Sequence, residues 1–199
     1  LSRSHRAPSP ARFLALAGLL LLAALAFQAA MLAHAGQPAL CTCGVIRLWV
    51  GDVRGPENSQ QITDWYTFSH VIHGMIFYAL VRLVAPRLPL AAALAIALSI
   101  EVGWEIAENS PMVIERYRAQ ALAQGYSGDS ILNSLCDTLA MTFGFTLARL
   151  LPTRATIALA LSFEILTAVT IRDNLTLNVV QLLHPIEAVG RWQSGLGGG

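Results

Sequence analysis

The sequence predicts an all-α integral membrane bundle of about five transmembrane helices: four spans plus an N-terminal helix of signal-anchor type. Three observations predict it. Of 199 residues, 55% are hydrophobic and only 13% are charged, about half the charged share of an ordinary soluble domain. The mean hydropathy is +0.56. The apolar residues fall into runs near the length of about 20 that a helix needs to cross a bilayer. These runs are rich in Ala and Leu, which suits helices and not barrel strands.

The first span is Phe13–Ala33, which carries no charge. Arg3, Arg6 and Arg12 precede it and Ala33-His34-Ala35 follows, the flanks of a cleavable signal peptide. The run exceeds the usual signal core of about 7–15 residues, which favours a retained helix. Span two, Thr67–Val81, is interrupted by His70 and His73. Span three runs from Leu88 through Glu101 to Ala107. Span four, Ile131–Leu151, contains Asp137, and span five, Ala155–Ile171, contains Glu164. Pro86, Pro89 and Pro152 mark the breaks, and the short connections there predict helical hairpins. The chain thus divides into a basic N-terminus (1–12), a first helix (13–33), a loop (34–66), a four-helix core (67–177), an amphipathic tail (178–194) and a Gly-rich end (195–199).

Arginine placement sets the expected orientation. With the N-terminus in the cytoplasm, the cytoplasmic segments hold Arg3, Arg6, Arg12, Arg82, Arg87, Arg149 and Arg154 and no acidic residue. The opposite side holds six arginines together with Asp52, Glu57, Asp64, Glu108, Glu115, Asp129, Asp173 and Glu187. Residues 35–66, 109–128 and the tail from Arg172 are therefore expected outside. The net charge of +1 gives no basic footprint for nucleic acid.

The polar residues of the spans fall at one depth. His70 and His73 share a face at i, i+3. Glu101, Glu105 and Glu108 form a stripe with Trp104 beside it. Asp129, Asn133 and Asp137 open span four, and Arg172 follows span five. Ionisable groups at membrane depth cost about 2.5–3.5 kcal/mol each on insertion scales, so they face partners or water. A solvated helix end or simple interhelical hydrogen bonding would also place them there.

Two site chemistries fit the set. His70, His73, Glu105 and Asp129 could bind a divalent metal such as zinc or manganese, although His-x-x-His alone is a weak motif. Without metal, crowded carboxylates raise one another's affinity for protons and can act as acid or base toward a lipid headgroup. His70, His73, Glu101, Glu105, Glu108, Asp129, Asn133 and Asp137 are then the candidate catalytic residues, with Arg172 (or Arg116) clamping an anion.

Cys41 and Cys43 are the alternative metal ligands, in an assembly or scaffold role without catalysis, expected just outside span one. A disulfide between residues two apart is strained, which leaves pairing with another chain or capture of a soft metal. Cys136 reads as a small apolar residue within span four. Trp49 and Trp65 suit an interfacial belt. No paired, interrupted helices mark a transporter site.

Several motifs resemble a known family: Cys41-Thr-Cys43-Gly44, Glu57-Asn58-Ser59-Gln60, Asp64-Trp65-Tyr66, Ser69-His70-x-x-His73-Gly74, Glu101-x-x-Trp104-Glu105-x-x-Glu108-Asn109-Ser110, Gly125-Tyr126-x-Gly128-Asp129-Ser130-x-x-Asn133-Ser134-x-x-Asp137 and Arg172–Asn178. Over residues 35–194 the chain resembles domain-of-unknown-function family 2585, also called uncharacterised protein family 0314. The resemblance implies a small bacterial multi-pass inner-membrane protein. A fainter resemblance, to VanZ-like proteins, rests on His70 or His73, Glu101 or Glu105, and Asp129 with Asn133. It implies a cell-envelope role touching lipid or glycan intermediates. Neither resemblance supplies a reaction.

Overall fold

The computed structural model describes residues 10–195. Arg3, Arg6 and the Gly-rich residues 196–199 lie outside the described residues. Among the described residues there are eight helices and no strand. Five are long and apolar enough to cross a membrane: α1 (Pro10–His34), α2 (Thr67–Val84), α3 (Leu90–Glu108), α5 (Ile131–Leu150) and α6 (Thr153–Ile171). Three are short: α4 (Pro111–Arg118), α7 (Leu175–Leu183) and α8 (Glu187–Ser194). The protein is a multi-pass membrane protein.

Proline sets the two tight connections, as the sequence suggests. Pro89 and Pro152 occupy the N-cap positions of α3 and α6. Arg82 closes the first hairpin by donating to Leu88 O at 2.7 Å. Two hairpins in series send the long helices in alternating directions. The segments 35–66, 109–130 and 172–195 therefore gather at one end, where hydrogen bonds join them. Gln60 donates to Gly128 O, Arg54 to Gln193 O and Arg116 to Leu182 O.

The core lies between α2, α3 and α5, built from Val81, Ala93, Leu94, Ala97, Leu98, Met141 and Phe145. The small alanines let α3 approach closely, the packing mode expected where no water drives helices together. α2 and α5 approach closer still, at Gly74 and Gly144. Outside this core, Leu14, Leu19 and Leu22 of α1 and Leu161, Ile165 and Val169 of α6 are exposed, which suits contact with lipid. One face of α1 is buried: Leu32 packs inward, and Gln28 bonds Ser134 and Thr138 of α5.

Two outer segments carry more structure than the sequence reading gave them. The loop 109–128 contains α4, whose N-cap Ser110 side chain accepts from Val113 N, with Pro111 at the first helical position. The tail is two helices. α7 starts at Leu175 because Asn174 caps it and Glu164 of α6 accepts from Leu175 N at 2.9 Å and Thr176 N at 3.2 Å. A carboxylate at a helix N-terminus is a favourable pairing, and it accounts for the single acidic residue in span five. Pro185 then separates α7 from α8.

Candidate functional site

The crossing of α2 and α3 sets the first layer of the site. His70 and His73 lie one turn apart on α2, with rings 5.1 Å apart. Both reach across to Glu101 of α3. His70 Nδ1 lies 2.7 Å from Glu101 Oε1, and His73 Nδ1 lies 3.1 Å from Oε2 of the same carboxylate. One turn along α3, Glu105 Oε1 lies 3.3 Å from His70 Nδ1. On the opposite side of the ring, His70 Nε2 lies 4.0 Å from Asp137 Oδ2 of α5. Glu101 and Glu105 are fully buried, and His70 nearly so.

A second set of bonds holds the carboxylates in place. Ser134 donates to Glu105 Oε2 at 2.5 Å. Gln28 of α1 donates to Ser134 Oγ at 2.7 Å, and Thr138 donates to Gln28 at 2.7 Å. Thr67 sits 3.4 Å from Asp137. Among the described residues the buried Glu105 Oε1 makes no hydrogen bond, with His70 Nδ1 3.3 Å away as an ion-pair neighbour.

A cavity of about 140 Å³ reaches this layer from the loop-bearing end of the bundle. His70, His73, Asp137, Glu108, Asp129 and Trp104 line it, together with Tyr66, Tyr126 and Asn58, which the sequence carries only within the family motifs, and Tyr117 and Arg54, which the sequence reading does not single out. Asp129 accepts from Tyr126 OH at 2.9 Å and Asn109 Nδ2 at 2.7 Å. Burial pushes its carboxyl up to about 6 despite those two bonds. Burial and the Asp129 carboxylate hold the Tyr126 phenol well above its ordinary value, so it stays a donor at neutral pH. The tyrosines lie in loops or in the short α4, where no periodicity betrays them. The available signal was, for Tyr126, an aromatic residue close to Asp129 and, for Tyr66, its place in the Asp64-Trp65-Tyr66 motif.

The remaining candidates separate. Asn133 is buried but turns to the loop, donating to Gln61 O at 2.9 Å. Arg172 does not line the cavity. It ends α6 in the left-handed conformation (φ 59°) and donates to Trp192 O at 2.9 Å, so it braces α8 away from the cavity. Arg116 similarly serves the carbonyls of Leu182 and Leu183. Arg54 is the arginine on the cavity wall. Cys41 and Cys43 are joined to each other as a disulfide, against the expectation of an intermolecular or metal-bound pair. Their sulfurs lie within 4.8 Å of a Glu57 oxygen, and neither cysteine lines the cavity. Trp49 and Trp65 stack edge to face against each other at 5.1 Å, with Phe68 beside them.

Comparison with known proteins identifies the family of the chain. The sequence profile of the family described as "Protein of unknown function (DUF2585)" matches residues 32–195. A UPF0314 protein of Brucella anthropi is 53% identical over 189 residues, covering 95% of each chain. One from Sphingopyxis alaskensis is 53% identical over 179 residues, 89% of this chain and 95% of its own. One from Paracoccus denitrificans is 54% identical over 161 residues, 81% of this chain and 83% of its own. No solved structure matches the chain. The profile match covers every cavity-lining residue named above, and on these likenesses the chain belongs to the DUF2585 (UPF0314) family.

Proposed function

We propose that the protein sits in the bacterial inner membrane with its N-terminus in the cytoplasm and its cavity open to the extracytoplasmic side. There it receives the polar head of a lipid or of a lipid-linked envelope intermediate and exchanges protons with it. The orientation rests on charge. Arg82, Arg87, Arg149 and Arg154 flank the two hairpin turns, at the end of the bundle away from the cavity.

One observation carries the chemical reading: two imidazoles share the Glu101 carboxylate on the wall of a cavity. Glu101 meets both rings at Nδ1, which orients them. His73, half-buried on the cavity wall, is the group for proton transfer at a bound headgroup. Buried His70 couples Glu101 to Asp137 and serves as its positioning partner. Asp129, near neutrality in its proton affinity, supplies a second acid or base at the cavity's opposite wall. Tyr66, Tyr117, Tyr126, Trp104 and Arg54 provide donors, flat apolar faces and one cation toward a polar, anionic or glycosyl head.

The test is complementation of the envelope defect in a strain lacking the gene. His73→Ala and Glu105→Ala should insert at wild-type levels and fail to complement. Full complementation by both removes the proposal. Failure of Cys41→Ser instead would favour the assembly role for the cysteine pair.

A further inference from the structure

We propose that His70, His73, Glu101 and Glu105 bind one divalent transition-metal ion, zinc or manganese, at the floor of the cavity. This deepens the reading above by naming the partner of the same side chains.

Charge balance is the first argument. Glu101, Glu105, Glu108, Asp129 and Asp137 gather around two imidazoles. Glu101 meets only His70 and His73, and Asp137 meets His70 and Thr67. Asp129 meets an amide and a phenol. Arg54, on the same cavity, is turned to Gln193 O. Two protonated imidazoles cannot balance five carboxylates if all five ionise, so without a cation some of them must keep their protons. Buried uncompensated charge costs several kcal/mol per ion, and a dication at the centre of the cluster removes most of that cost.

Convergence is the second. Single ligand atoms of His70, His73 and Glu101 lie within 4.8 Å of one another, and so do those of His70, Glu105 and Glu108. The two sets overlap at His70. In the second set Glu105 Oε1 is buried, lies 3.3 Å from His70 Nδ1 and makes no hydrogen bond among the described residues. An oxygen that makes no hydrogen bond here keeps a lone pair free to ligate a cation.

The surrounding bonds fit ligation as well. Metal-bound histidines usually hand their second nitrogen to a carboxylate. His70 presents Nδ1 to Glu101 and Glu105 and Nε2 toward Asp137. Ser134, itself held by Gln28, fixes the other oxygen of Glu105. Imidazole with carboxylate selects zinc, manganese or iron over magnesium or calcium. The cavity gives an ion a path from the loop-bearing end.

The experiment uses the full chain, purified in detergent without chelator, with metal content read by elemental mass spectrometry. About one zinc or manganese ion per chain is expected, lost in Glu101→Gln and His70→Ala and kept in His184→Ala. Because His70→Ala could unfold, a second readout uses wild-type protein stripped by chelator. Adding Zn2+ or Mn2+ should raise its melting temperature, and Mg2+ at the same concentration should not. Absence of bound metal together with no thermal response overturns the proposal, as does an equal response to Mg2+. If His73→Ala still fails to complement in that case, the acid–base reading stands without the metal. If metal binds and His73→Ala complements fully, the metal site stands and the proton-transfer role falls.

Discussion

Gly74 of α2 and Gly144 of α5 bring two helix backbones into direct contact. A Cβ on Gly74 would lie 1.9 Å from Met141 O, and one on Gly144 would lie 1.9 Å from Val71 O. No side chain can yield there, because the obstacles are main-chain atoms of a helix. Gly74 is the residue after His73, so this contact sets the height at which both imidazoles meet α3 and α5. Gly74→Ala or Gly144→Ala should push the helices apart and cost about 1–3 kcal/mol of overpacking strain. Gly18→Ala is the control, since nothing lies within 4 Å of its position. Thermal melting in detergent should show lower transitions for the first two variants only.

Gln28 is a buried amide in a span that otherwise reads as lipid-facing. It makes three hydrogen bonds to Ser134 and Thr138. A segment removed by signal peptidase would take this amide away and leave Ser134 without its donor. α1 should therefore remain in the mature protein, and intact-mass measurement of the membrane-purified chain should include residues 13–33. Gln28→Leu, which takes the acceptor from the Thr138 hydroxyl and leaves Ser134 only its bond to Glu105, should lower stability by about 1–3 kcal/mol.

The legibility of the chain divides by length scale. The five spans were readable because each needs a long apolar run, and the prolines at 86, 89 and 152 left little choice of boundary. The meeting of His70, His73, Glu101, Glu105 and Asp137 was also readable, because helical spacing puts each pair on one stripe and alternating spans put the stripes at one depth. Direction around a helix axis was not readable beyond the spans. Arg172 follows span five as expected, yet the left-handed turn at that residue carries its side chain toward Trp192. Tyr117, Tyr126 and Asn109 act through loop closure over 109–130, which no periodicity encodes. Gln28 was missed for a different reason: one amide does not change the hydropathy of a span, although its being the sole such group in α1's apolar run was the available signal.

Asp173 ties the tail to the bundle. It accepts from Tyr66 OH at 3.2 Å and Gln193 Nε2 at 3.1 Å. Burial pushes its carboxyl from 3.8 to about 6, against the lowering effect of its hydrogen bonds. The folded state therefore holds the proton more tightly than the unfolded chain does. That contribution is complete below about pH 4 and is lost as pH rises through about 6. The latch should accordingly be weaker at pH 7 than at pH 5. Asp173→Asn, a permanent mimic of the neutral acid, should exceed wild type in stability at pH 7 by up to about 3 kcal/mol. The difference should vanish near pH 4, and paired melting curves across that range would show it. A constant gap at all pH values would mean that the carboxyl does not titrate in this window.

His70 and His73 share one carboxylate but not one role. His70 is enclosed by Glu101, Glu105 and Asp137, and its removal leaves Glu105 and Asp137 without an imidazole and Glu101 with His73 alone. Breaking a buried pair from one side costs about 3–5 kcal/mol, so His70→Ala should express poorly and melt early. His73 stacks on Phe77 at 5.6 Å and borders the cavity. Water can enter where its ring was, and Glu101 keeps its shorter bond to His70, so His73→Ala should cost about 1 kcal/mol. The comparison separates folding from function. A His73→Ala chain with near-wild-type melting and no complementing activity assigns the ring to the chemistry of the cavity. Equal destabilisation by the two substitutions would make both histidines structural members of one polar core.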